Sequence, residues 1–112
     1  MISTPMDLVL VSTPVGHLGS GRGGGVELTL GSLAEGLHAM GNRLTIVAPQ
    51  GSTLPSLDGE VEIRHISGVD QPSWQHAGAT EPVVIPFNGV LPRLWEEALE
   101  LGKSADAVLN FG

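Results

Sequence analysis

The sequence predicts an α/β fold, a small open parallel sheet with flanking helices, and three observations carry the prediction. Residues 7–13, DLVLVST, form a near-continuous apolar run rich in branched side chains, the pattern of a strand covered on both faces. After a glycine-dense stretch, Val26, Leu30, Leu33, Leu37 and Met40 recur at spacings of four, three, four and three, the stripe of an amphipathic helix. A second apolar run, RLTIVA at 43–48, then follows a glycine stop at Gly41. Strand, glycine loop, helix and strand in that order predict a right-handed parallel crossover.

The remaining elements follow in turn. Gly31 and Gly36 lie inside the first helix, where each costs about 1 kcal/mol relative to Ala, so close packing against the sheet or a ligand is expected there. Residues 51–59 read as a loop, and VEIRHIS at 61–67 alternates as a third strand near the sheet edge. GVDQPSWQHAGATEP has no periodicity and two prolines, and loops of this length in compact domains are usually functional or disordered. VVIP at 83–86 is a short extended piece. Asn88 is a cap for a second helix through Leu101, with Leu91, Leu94, Trp95, Ala98 and Leu101 on its core stripe and Pro92 in its first turn. Gly102 closes that helix, and ADAVLNF at 105–111 is the fourth strand. The whole is a Rossmann-like open sheet of about four strands in order 3-2-1-4. Its ligand is expected beyond the carboxyl ends of strands one and four, where the order reverses.

Composition narrows the classes of partner. The chain has 112 residues, 41% of them apolar, which predicts a single domain spanning 1–112. A formal charge of −7, with Arg22, Arg43, Arg64, Arg93 and Lys103 scattered singly, offers no footprint for nucleic acid. Cysteine is absent, which removes disulfides and thiolate chemistry and fits a reducing compartment. No run approaches the roughly 20 apolar residues of a membrane span, and no basic leader precedes Asp7, so the expected location is the cytoplasm.

The stretch GHLGSGRGGG at 16–25 places six glycines in ten positions directly before a helix. Gly19, Gly21 and Gly24 satisfy G-x-G-x-x-G. A dinucleotide loop, however, follows its strand at once and is answered by an acid after the second strand, where this chain has Ala48, Pro49 and Gln50. A Walker loop needs Lys followed by Ser or Thr, whereas Arg22 is followed by Gly23. What survives is physical: consecutive amides of Gly23, Gly24 and Gly25 at a helix N-terminus form a concavity suited to phosphate or sugar hydroxyls, with Glu27 complementing the dipole. A flexible linker is the competing explanation of the glycines.

The segment GGGVELTLGSLAEGLHAMGNRLTIVAP, with the preceding DLVLVSTP, resembles the start of the family 4 glycosyltransferases, whose N-terminal domains run strand, glycine loop, G-G-x-E, helix and G-H-x-V-T-V-x-A-P. Gly24, Gly25 and Glu27 match G-G-x-E, and Asn42 departs from the customary His. The likeness covers residues 7–50, and beyond them only the order of elements. The long G-H-L-G-S-G-x-G-G-G loop is similar to that of members that glucosylate tetrahydrobiopterin from UDP-glucose.

The resemblance implies an N-terminal, acceptor-side domain of a retaining two-domain enzyme. The donor-binding C-terminal domain is absent from these residues, and the chain alone is expected to be inactive. It implies UDP-glucose as co-substrate, a small acceptor such as a pterin, and no metal or other cofactor. Gly23, Gly24 and Gly25 are the implied contacts to the donor phosphate and sugar. His17 in the loop and Trp74 and His76 in the long loop are the candidate acceptor residues, the indole as a stacking shelf and the imidazoles as donors. The family's His after the fourth strand has no counterpart in Asn110, Phe111 and Gly112, so the catalytic residues stay unassigned. The competing reading is a non-catalytic α/β module that binds an anion or partner, and an uncovered apolar cleft face predicts a homo-oligomer at high concentration.

Overall fold

The computed structural model describes residues 5–68 and 89–111. Its elements are β1 (Asp7–Val11), α1 (Gly25–Ala39), β2 (Arg43–Pro49), a 3-10 turn (Pro55–Leu57), β3 (Glu62–Ile66), α2 (Val90–Gly102) and β4 (Ala107–Asn110). The four strands form one parallel sheet in order β3-β2-β1-β4, the Rossmann-like arrangement that the sequence predicts. The register places Leu10 between Ile46 and Leu109, so that apolar side chains meet in rows across the sheet.

Alternation along β1 divides the core into two layers. Leu8 and Leu10 join Ile46, Leu30, Ala34 and Leu18 on the α1 face, whereas Val9 and Val11 join Val47, Val90, Leu94 and Ala98 on the α2 face. A strand segment buried on both faces must be apolar at every position, which explains the unbroken run of Leu8, Val9, Leu10 and Val11 after Asp7. Fully burying a Leu or Ile such as Leu10 or Ile46 contributes about 2 kcal/mol each.

Three local devices hold the frame. Asn42 is buried after the Gly41 stop. Its Oδ1 accepts from Met6 N–H at 3.1 Å and its Nδ2 donates to the Leu37 carbonyl at 3.1 Å, tying the end of α1 to the start of β1. The Asp7 carboxylate pairs with Arg43 Nε at 2.7 Å across the exposed lower edge of β1 and β2. Gly68 adopts φ +155, and a Cβ there would sit 2.7 Å from the Val90 nitrogen, so the exit of β3 passes directly over the start of α2.

Several expectations are corrected by how widely each helix is covered. On α1 only Leu30 and Ala34 are buried, with Leu37 packed beside them, while Val26, Leu33 and Met40 stand exposed along one side. Gly36 faces open space and Gly31 makes only an ordinary 3.8 Å contact to Leu54, so close packing does not account for Gly36. Trp95 is 44% exposed instead of core, because α2 lies over β1 and β2 and leaves edge strand β4 partly uncovered. The helix cap is Gly89, and Asn88 lies outside the described residues. No helix among the described residues is long and apolar enough to cross a membrane.

Candidate functional site

The candidate site is the wall that residues 12–24 build above the carboxyl ends of the strands. Past Val11 the chain leaves the sheet, with Ser12 N–H donating to the Val47 carbonyl at 2.8 Å. It returns to helical geometry only at Gly25, and the loop between is pinned to the exit of β2. Leu18 is buried, its N–H donates to Ser52 Oγ at 2.9 Å, and its carbonyl accepts from Thr53 N–H at 3.0 Å. Ser52 Oγ in turn donates to the Pro49 carbonyl at 2.7 Å. These bonds answer the linker reading, since a loop fixed by a buried Leu and a buried hydroxyl is an ordered part of the core.

Within the loop the glycines serve different ends. Gly16, Gly19, Gly21 and Gly24 all have positive φ, the backbone region that side chains penalise. A Cβ on Gly16 would meet Arg22 and Ser20 at 2.9 Å, one on Gly19 would meet Thr53 Oγ1 at 2.7 Å, and one on Gly23 would meet Thr13 Cγ2 at 2.8 Å. Cβ atoms on Gly21, Gly24 and Gly25 would meet no atom of the described residues within 4 Å. Gly25 alone in the loop has neither a positive φ nor a neighbour within 4 Å among the described residues, so nothing in the described part of the fold requires a glycine there.

Glu27, on the first turn of α1, shapes the loop from within. Its Oε1 accepts from Gly19 N–H at 2.6 Å and from Gly21 N–H at 3.3 Å, and its Oε2 accepts from Gly23 N–H at 3.2 Å. The sequence gives Glu27 a role in the helix dipole but not this one. The signal was its place as third residue of the helix, from which a Glu reaches back over the cap. Of the three glycines expected to meet a donor, Gly23 therefore has its amide on Glu27, Gly24 donates to the Gly21 carbonyl at 3.3 Å, and Gly25 has no acceptor among the described residues. The first intrahelical donor is Leu28, which bonds the Gly24 carbonyl, so the amides of 25, 26 and 27 have no intrahelical partner.

His17 is half-buried on the side of the loop that faces the β2 exit, its ring 3.7 Å from a Cβ built on Gly51. Its contacts do not overlap with those of Gly23, which packs on Thr13 and Glu27. Trp74 and His76 lie outside the described residues. His38 belongs elsewhere, with Nε2 3.6 Å from Glu60, and His65 is an exposed residue of β3. No group of three metal-ligating side chains occurs among the described residues.

Two further features flank the loop. Ser12 is fully buried at the end of β1, and its hydroxyl has no hydrogen-bond partner among the described residues, a rare state for a buried polar group. On the α2 side, an open groove of about 640 Å³ runs between α2 and β4, lined by Val11, Trp95, Leu99, Val108 and Asn110 among others. It reaches the carboxyl ends of β1 and β4, the place where strand order reverses. The chain matches no protein family profile and no curated protein sequence.

Proposed function

We propose that this chain is the acceptor-side half of a retaining glycosyltransferase. In this reading it helps move glucose from UDP-glucose to a small acceptor such as tetrahydrobiopterin, and it is inactive without a donor-binding half. The observation that carries the reading is Gly25, a glycine at a helix N-terminus, above the carboxyl end of the sheet, that neither its conformation nor packing among the described residues explains. A ligand approaching the backbone is a reason for a glycine that the fold does not supply. The likeness of residues 7–50 to family 4 enzymes supports the same reading.

In such a transfer the bond from the anomeric carbon to UDP breaks, one to the acceptor oxygen forms, and the acceptor's hydroxyl proton leaves with the UDP phosphate. Backbone N–H groups fixed before the ligand arrives stabilise polar groups around that carbon without reorganising. His17 is the loop side chain assigned to donate to an acceptor, and Trp74 and His76 complete the proposed acceptor set. Amide chemical-shift titrations with UDP-glucose and with a reduced pterin test the assignment. Saturable shifts at 23–25 with the first, and at His17 or Trp74 with the second, are expected. No shift with either at millimolar concentration contradicts it.

The groove between α2 and β4 favours a second reading, a non-catalytic module that binds a partner. Trp95, Leu99 and Val108 are exposed beside an edge strand, AVLN, that carries no charge or proline to discourage pairing. The occupant in that reading is a second copy of the chain, paired edge to edge through β4. Light scattering that shows a concentration-dependent dimer, lost in Val108→Lys, supports it, and a monomeric mass at high concentration rules it out.

A further inference from the structure

The amides that a glycine-rich loop would offer an anion are, in this chain, already bound to one. Three N–H groups from alternate residues, Gly19, Gly21 and Gly23, converge on the two carboxylate oxygens of Glu27 at 2.6 to 3.3 Å. A carboxylate is the side-chain group closest to a phosphate in this respect, two oxygens sharing negative charge in a concavity of amides. It also stands at the positive end of α1, where its charge offsets part of the partial charge that would draw a second anion. Arg22, the cation of the loop, is not free either, since it has an interaction of its own.

We propose that Glu27 is a specificity-determining residue of the loop: its carboxylate occupies the inner amides and keeps external oxyanions out of them. The loop is then left to meet uncharged groups, such as sugar hydroxyls, and any ligand phosphate is held elsewhere. The proposal rests on the sugar-transfer reading only for the identity of the natural ligand. The occupied amides stand on the geometry alone.

The test uses inorganic phosphate as probe and three forms of the chain, wild type, Glu27→Gln and Glu27→Ala. Glu27→Gln keeps the shape of the side chain and one acceptor oxygen without the charge, so it reports even where Glu27→Ala folds poorly. In wild type, phosphate at millimolar concentration should leave the amide shifts of Gly19, Gly21 and Gly23 unmoved. In the variants the same amides should titrate saturably, with affinity gained roughly tenfold or more, about 1.4 kcal/mol. Phosphate should also raise the Tm of the variant and leave that of wild type unchanged. A gain of binding is a readout that a merely structural role cannot produce. Phosphate shifts at these amides in wild type equal to those in the variants, or no gain in either variant, would overturn the proposal. Because no sugar nucleotide is involved, failure here leaves the sugar-transfer reading standing, and silence toward UDP-glucose leaves the role of Glu27 standing.

Discussion

Gly19 and Gly25 lie six residues apart in one loop and answer to different demands. Gly19 has φ +95 and no room for a Cβ beside Thr53, so the fold itself requires it. Gly25 is the first residue of α1, has no positive φ and has no described atom within 4 Å of a built Cβ, so the described fold would accept a side chain there. The difference teaches how to read a glycine-rich motif: count the glycines that the chain needs for its own turns and contacts, and ask what the remainder are for. In this loop Gly16, Gly19 and Gly23 pack against their own chain, Gly21 and Gly24 serve conformation, and Gly25 serves neither.

Substitutions can break that division, and the largest effect is expected outside the loop. Gly68→Ala sets a Cβ against the backbone of Val90, which no side-chain rotation relieves, and should cost about 3 kcal/mol or more in denaturant unfolding. Gly19→Ala combines a strained φ with overpacking on Thr53 and should cost about 2–4 kcal/mol, partly recovered in the double variant with Thr53→Ala. Gly24→Ala meets no atom of the described residues, so only its backbone, φ 59 and ψ −133, is penalised, by about 1–3 kcal/mol. A Gly24→Ala variant as stable as wild type would show that the conformation at 24 is not required.

How far the sequence was legible follows the same line between local and distant causes. The four strands, their 3-2-1-4 order and both long helices follow from apolar runs and spacing, because β1 and β2 are buried on both faces and cannot hide that in their composition. The exposure of Trp95, Leu33 and Met40 was not legible. Helical spacing shows which residues share a face, but not how much sheet lies beneath it, and α2 stops short of covering β4. The bonds of Ser52 to Leu18 and of Asn42 to Met6 span 34 and 36 residues, so no local pattern announces them. The position of the glycine loop was legible, whereas the division of labour inside it depended on contacts with Thr13, Thr53 and Glu27.

The smallest change in stability sharpens the comparison from the other side. Gly36 lies in the interior of α1 with nothing within 4 Å among the described residues, and Gly36→Ala should stabilise the chain by about 1 kcal/mol without touching ligand binding. It is the control for Gly25: an unneeded helix glycine far from the loop.

The most direct test of the account is therefore Gly25→Ala, measured for thermal unfolding and for UDP-glucose-induced amide shifts on the same sample. A glycine kept for a ligand predicts a Tm equal to or slightly above that of wild type together with lost or weakened shifts at residues 23–25. A clear drop in Tm would show that the fold needs Gly25 after all. Unchanged Tm with undiminished shifts would show that no ligand approaches it, and either result would contradict the account.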